Sequence, residues 1–235
     1  MKRALVTGGG SGAGAVIARA LADAGTLVTV CGRRAIHMPG MTSAICDVTD
    51  ERQVAALFRD HGPFDIVVAN AGASESASFM KTEKAALDRM LAVNVTGTFL
   101  TFRESARTMT DGGRMIAIAS TAGLKGYAYV APYAAAKHAV VGMVKSIALE
   151  LAAKGITVNA VCPGFMETEM TAASVARIME KTGRTEAEAR AALAGTNPIG
   201  KLVDPEDVAQ AVLWLCGPGS GMVTGQTIAI SGGET

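Results

Sequence analysis

Short apolar runs, many of them β-branched, recur along this chain with helix-length stretches between them, and that alternation leaves few folds open. The runs are Arg3–Thr7, Leu27–Cys31, Ser43–Cys46, Phe64–Ala69, Arg114–Ala119, Ile156–Val161 and Gln226–Ile230. Bounded by helical stretches, they have the pattern of strands in a parallel sheet covered on both faces. The intervening sequence predicts helices over about 12–24, 50–60, 82–110, 131–153 and 205–215, which serve as crossovers. Right-handed crossovers give a doubly wound α/β sheet, with Gln226–Ile230 as a sheet edge or a partner-facing strand. Ligands in such sheets sit at the carboxyl ends of the strands, and Gly8, Asp47, Asn70, Ser120 and Pro163 all fall there. At 235 residues the chain fills one core, and nothing in it marks a second domain or a linker, so one domain over 1–235 is expected.

The first strand runs into a glycine-rich turn, Gly8–Gly14, and an alanine-rich helix that Gly25 stops. Gly8, Gly12 and Gly14 let the backbone approach a pyrophosphate, and the helix behind them offers free N–H groups and the positive end of its dipole. The spacing is G-x-x-x-G-x-G, and no Gly-Lys-Ser/Thr follows, which sets aside a nucleoside triphosphatase loop.

A second constellation lies in STAGLKGYAYVAPYAAAK, Ser120–Lys137. Ser120 follows an apolar strand, while Tyr133 and Lys137, four residues apart, share one face of a helix. An ammonium beside a phenol favours the phenolate, which tunes a tyrosine to exchange a proton with a carbonyl or hydroxyl oxygen. Ser120 is placed to give the same oxygen a further hydrogen bond.

Composition excludes several functions. With a formal charge of +1, neither nucleic acid nor an acidic membrane surface is an implied partner. The four cysteines, Cys31, Cys46, Cys162 and Cys216, have no metal-ligand or redox spacing and read as reduced core thiols of a cytoplasmic protein. His37, His61 and His138 are too scattered for a metal site. MKRALVTGGG lacks the apolar stretch of a signal peptide, and no segment is apolar for long enough to span a membrane.

TGGGSGAG at Thr7–Gly14, NAG at Asn70–Gly72, Asn94, Ser120, YAAAK at Tyr133–Lys137 and Pro163–Gly164 occur in an order and at separations that resemble the short-chain dehydrogenase/reductase family in its single-domain form. The resemblance covers essentially the whole chain. It implies a seven-stranded Rossmann-type sheet, a nicotinamide cofactor and reversible hydride transfer between a carbonyl and a secondary alcohol. By matching position, Tyr133 is the general acid/base, Lys137 lowers its pKa and holds the nicotinamide ribose, and Ser120 binds the substrate oxygen. Asn94 matches an asparagine that fixes a water in the proton relay; read alone, it is a helix-interior residue bonded to neighbouring backbone.

The same resemblance assigns Gly8, Gly10, Ser11, Gly12, Ala13 and Gly14 to the cofactor phosphates, and Asp47 and Val48 to the adenine. Asn70, Ala71 and Gly72, with Pro163, Gly164 and Thr168, complete the cofactor set, Thr168 at the carboxamide. An aspartate at Asp47 that merely caps the next turn would look the same. Ala13, Ala69 and Ser231 depart from the family pattern, the last where aspartate is frequent, which leaves the tail free to sit differently. The second strand ends in Gly32 where an acidic residue would bond a free ribose, and Arg33 and Arg34 follow. That favours NADP(H) through pairing with a 2′-phosphate; NAD(H) remains open if the arginines are solvated loop charges.

From Phe165 to about Val203 the chain is longer than a connection needs, and it is expected to form a lid over the substrate, or else plain packing. Ser74, Glu75, Ala122, Leu124, Tyr127 and Tyr129, with Phe165, Met166 and Met170 of that insertion, suit an organic carbonyl better than a sugar. The expected substrate is a 3-oxoacyl or 3-hydroxyacyl thioester. Another aromatic, steroid or polyol ketone or alcohol is the alternative, and a dinucleotide-binding subunit without turnover a remote one. The family resemblance further implies a homo-oligomer, a tetramer or dimer, through the helix at 82–110, the Tyr-Lys helix and the last strand.

Overall fold

β1 (Arg3–Thr7) is flanked by β2 (Leu27–Gly32) on one side and by β4 (Ile66–Ala69) on the other, so strand order reverses beside it. In the computed structural model of the protein, which describes residues 1–235, β3 (Thr42–Ile45), β5 (Arg114–Ile118), β6 (Thr157–Pro163) and β7 (Thr227–Ile230) complete a parallel sheet of order β3-β2-β1-β4-β5-β6-β7. This is the doubly wound, Rossmann-type arrangement expected. β4 and β6 bury every residue, which is why their sequences are apolar without alternation. β7 pairs only with β6 and forms the edge.

Successive side chains of β1 leave on opposite faces, and each face has its own core. Ala4 and Val6 pack with Ile17 and Leu21 of α1 (Gly12–Asp23) and with Val212 and Leu215 of α8 (Pro205–Cys216). Leu5 packs with Leu57 of α2 (Glu51–His61), Leu100 of α4 (Gly97–Thr108) and Val140 of α5 (Ala131–Leu151). Asp204 caps α8 as its sequence suggests, accepting from the Glu206 N–H at 3.0 Å ahead of Pro205.

The helix expected over 82–110 is interrupted. α3 (Lys84–Leu91) passes through a π turn, Ala92–Thr96, before α4 begins, and a 3-10 turn at Phe79–Lys81 precedes it. The Asn94 side chain donates to the carbonyls of Met90 and Ala73, each at 3.0 Å, and so ties the widened turn to the loop after β4. β4 starts at Ile66, two residues later than expected, while Asp65 bonds Arg3 and Arg114 ahead of it and Phe64 packs edge-on against Phe58 at 5.5 Å.

The insertion after β6 folds as α6 (Glu169–Thr182) and α7 (Glu186–Ala194), the second opened by a capping box of Thr185 and Glu188. Its two ends meet. The Val203 N–H donates to Phe165 O at 2.8 Å, and the Glu167 N–H to Val203 O at 2.9 Å. No helix is long and apolar enough to cross a membrane, and all the cysteines are free and buried.

Candidate active site

The turn between β1 and α1 is held by the loop after β4. Thr7 Oγ1 accepts from the backbone N–H groups of Asn70 and Ala71, both at 3.0 Å. Asn70 Nδ2 donates back to the carbonyls of Thr7 at 3.0 Å and Gly8 at 3.2 Å. Gly8, at φ 65°, approaches so closely that a Cβ there would stand 2.9 Å from Ala71 Cα. One on Gly14 would stand 2.3 Å from Gly8 O, so α1 enters directly under the turn. Gly10 faces Ile36, while Ala13 is buried on the core side of α1. Ser11 stands at the N-cap without a side-chain capping bond, and the first turn of α1 carries no acidic residue. Its N–H groups are therefore open to an anion.

Gly12 looks towards Thr168, whose Cγ2 lies 3.7 Å from the position of a Cβ on that glycine, so the start of the insertion overhangs the turn. Arg33 and Arg34 leave the end of β2 exposed, with neither an ion pair nor a hydrogen bond. Asp47 Oδ1 is engaged locally, by the N–H and hydroxyl of Thr49 at 2.9 and 2.8 Å. Val48 is buried against Gly97 at the start of α4. Both residues are thus held through local contacts.

Ser120 follows β5 and opens a short turn, its Oγ accepting from the Ala122 N–H at 3.1 Å, which leaves the hydroxyl proton free to donate. Tyr133 sits in the first turn of α5, half-buried, and Lys137 one turn on is 5 % exposed. The ammonium does not bond the phenol. It donates to Ile118 O at 2.9 Å and lies 5.7 Å from the Tyr133 ring centroid. Burial pushes the Tyr133 phenol above its ordinary value, and a hydrogen bond with Ser120 works in the opposite direction. Burial likewise lowers Lys137 to about 8. Gly72 keeps open the gap between Asn94 and Lys137: a Cβ there would come within 2.8 Å of Asn94 Oδ1 and 3.7 Å of Lys137 Nζ.

A serine, a tyrosine and a lysine thus converge beside a helix N-terminus at the switch point of a doubly wound sheet. The sequence profile of a family described as enoyl-(acyl carrier protein) reductase matches residues 8–235. The chain belongs to the short-chain dehydrogenase/reductase family. A ketoacyl reductase named as putative, from Streptomyces coelicolor, is 37% identical over 98% of this chain and 95% of its own. The 3-oxoacyl-(acyl-carrier-protein) reductase FabG of Rickettsia prowazekii is 32% identical over 99% and 96%. Among solved structures, an actinorhodin polyketide ketoreductase variant with NADPH superposes with a TM-score of 0.89 at 36% identity, covering 99% of this chain and 97% of that one.

As a short-chain dehydrogenase/reductase the protein is an NAD(P)-dependent oxidoreductase of carbonyl and alcohol groups. Its residues fit a dinucleotide: an uncapped helix N-terminus behind glycines that admit no Cβ, with unpaired arginines at the end of β2. Of the residues expected to face the substrate, Glu75 is taken up by Arg89 at 2.8 Å, and Met170 and Tyr129 are exposed. Arg177 of α6 donates to Ser76 Oγ at 2.6 Å and ties the insertion to the loop after β4. Two further side chains have roles that the sequence motifs do not disclose. Thr7 fixes the two loops of the switch point, and Glu234 from the stretch after β7 reaches Tyr127 at 2.6 Å. Thr7 opens the TGGGSGAG motif, but only long-range contacts disclose what either side chain does.

Proposed function

We propose that the protein is an NADP(H)-dependent reductase of 3-oxoacyl thioesters, working reversibly on the corresponding 3-hydroxyacyl thioesters. The observation that carries the reading is the convergence of Ser120, Tyr133 and Lys137 beside the glycine turn. The thioester is supported by the names of the ketoacyl and 3-oxoacyl reductases to which the chain is similar. Nicotinamide, when bound, supplies or accepts the hydride.

In the reducing direction Ser120 and Tyr133 both donate to the carbonyl oxygen, whose charge grows as the carbonyl carbon is reduced. Tyr133 then gives up its proton. Because burial holds that proton on the phenol, transfer is favoured only once the oxygen has become basic. Lys137 holds the ribose and offsets the phenolate, and Asn94 orders a water from which the proton is replaced. The adjacency of Asn94 Oδ1 and Lys137 Nζ at Gly72 supports that relay.

The phosphates fall to the turn of Gly8, Gly10, Ser11, Gly12, Ala13 and Gly14, the adenine to Asp47 and Val48, and the remaining wall to Asn70–Gly72, Pro163, Gly164 and Thr168. Arg33 and Arg34 pair with a 2′-phosphate, a role supported by their lack of any acidic partner. The segment 165–203 acts as a lid within one catalytic domain. Exposed Phe99 on α4 and Leu149 on α5 support a homo-oligomer built on those helices. The buried thiols fit a reducing, cytoplasmic location.

The test is oxidation of NADPH and of NADH by the purified protein over acyl thioesters, simple and cyclic ketones, and polyol-derived ketoses. NADPH turnover fastest on 3-oxoacyl thioesters is expected. Faster turnover of cyclic or steroid ketones would replace the thioester reading, and turnover with NADH alone would overturn the cofactor preference.

A further inference from the structure

Beyond the reacting centre, the stretch Ser231–Thr235 returns across the end of β6 and buries a carboxylate. The Glu234 side chain is 2% exposed. Its Oε1 accepts from the Tyr127 hydroxyl at 2.6 Å and pairs with Lys125 Nζ at 3.1 Å. Its Oε2 is buried with no partner and lies 3.3 Å from where Gly164 would carry a Cβ. A tyrosine has one proton to give, and a carboxylate can only accept, so Tyr127 donates to Glu234. The Thr121 hydroxyl, 2.7 Å away, therefore donates to the Tyr127 oxygen.

These bonds join two separate stretches, the loop between Ser120 and Tyr133 and the segment after β7, and the Pro163–Gly164 turn packs against the carboxylate without bonding it. Lys125 also lies over the Tyr127 ring, 5.1 Å from its centroid, and that ring stands edge-on to Phe165 at 6.2 Å. A carboxylate oxygen buried without a partner is costly, and a neutral side chain of similar size would pack the same space more cheaply. Thr121, bonded to Tyr127, directly follows Ser120 in the chain.

We infer that Glu234 is a positioning residue that locks Tyr127 against Phe165 and thereby fixes the substrate-facing wall beside the reacting centre. This rests on the reading of Ser120 and Tyr133 as that centre. Glu234 touches no reacting atom; it acts through Tyr127 and Lys125, on substrate fit and not on proton transfer.

Wild type, Glu234→Ala, Glu234→Gln and Tyr127→Phe are compared by amide hydrogen exchange and by steady-state kinetics on a short 3-oxoacyl thioester. In Glu234→Ala and Tyr127→Phe, exchange should rise at least ~10-fold over residues 121–130, while β1, β4 and β5 stay as in wild type. KM should rise about 10-fold, with kcat falling no more than about twofold. Glu234→Gln, which keeps an acceptor for Tyr127, should recover most of both. Unchanged exchange in 121–130, or a rise spread evenly over the sheet, would overturn the inference, as would a loss confined to kcat. If Glu234→Ala does not fold, Tyr127→Phe decides by the same criteria. If wild type turns over no thioester, the reaction assignment fails, while the exchange data still decide whether Glu234 locks the loop.

Discussion

Replacing Thr7 by valine swaps a hydroxyl for a methyl group in a site that is 2% exposed, with almost no change of shape. Two backbone N–H groups, of Asn70 and Ala71, lose their common acceptor at 3.0 Å. Each orphaned donor costs about 1–3 kcal/mol, so the pair costs roughly 2–6 kcal/mol. Burying one more methyl returns about 0.8 kcal/mol. A net loss near 3 kcal/mol is expected, which for a chain of this length corresponds to a fall in Tm of roughly 6–12 °C. Urea unfolding should show a lower midpoint at an unchanged slope. Because a Cβ on Gly8 would stand 2.9 Å from Ala71 Cα, the loosened loop should also weaken dinucleotide binding. Thr7→Ser keeps the acceptor and should lose only about 1 kcal/mol, from its missing methyl. A valine variant within ~0.5 kcal/mol of wild type, or a serine variant as damaged as valine, would refute the accounting.

Tyr133→Phe should lower kcat by roughly 10²- to 10⁴-fold while leaving the cofactor Kd nearly unchanged, as read by fluorescence titration; retained turnover would remove Tyr133 from the proton-transfer role. Arg33→Ala should raise the Kd for NADPH by about 10-fold or more and leave that for NADH within about twofold, whereas equal losses would place the arginine elsewhere than on a 2′-phosphate. Lys137 gives a pH signature whose sign follows from its folded pKa of about 8 lying below the ordinary 10.5. The unfolded chain holds that proton more tightly, so the burial penalty is full below pH 8 and is relieved as pH rises towards 10.5. The unfolding free energy of wild type minus that of Lys137→Met should therefore rise over this window, by at most ~3 kcal/mol, and a flat or falling difference would contradict it.

The order of elements was legible because each signal is local. Val67 and Val68 announce a doubly buried strand, Asp204 and Pro205 announce a helix start, and Gly8 announces a backbone that a side chain would obstruct. The Ser120, Tyr133 and Lys137 constellation was legible for the same reason, since it lies within one strand, loop and helix. What escaped was long-range. The π turn at Asn94 depends on the carbonyl of Ala73, and helix propensity carries no trace of it. The Tyr-Lys spacing foretells a shared helix face, but not that the ammonium is engaged by Ile118 O while burial raises the phenol. Glu234 and Tyr127 are 107 residues apart, and nothing in the sequence around either implies the other.

The bridge between Met166 and Val203 makes the segment between them a closed excursion from the sheet. Its ends are fastened to each other by Val203 to Phe165 and Glu167 to Val203, so a change of length between them leaves the strands joined as before. Doubling its length would add only about 0.6 kcal/mol in closure entropy. The segment is thus a module that can be exchanged at the bridge, at the cost of the bond from Arg177 to Ser76. A transplanted excursion from a relative, joined at the same bridge, should carry over its own range of acceptable molecules while leaving the proton-handling apparatus as it was.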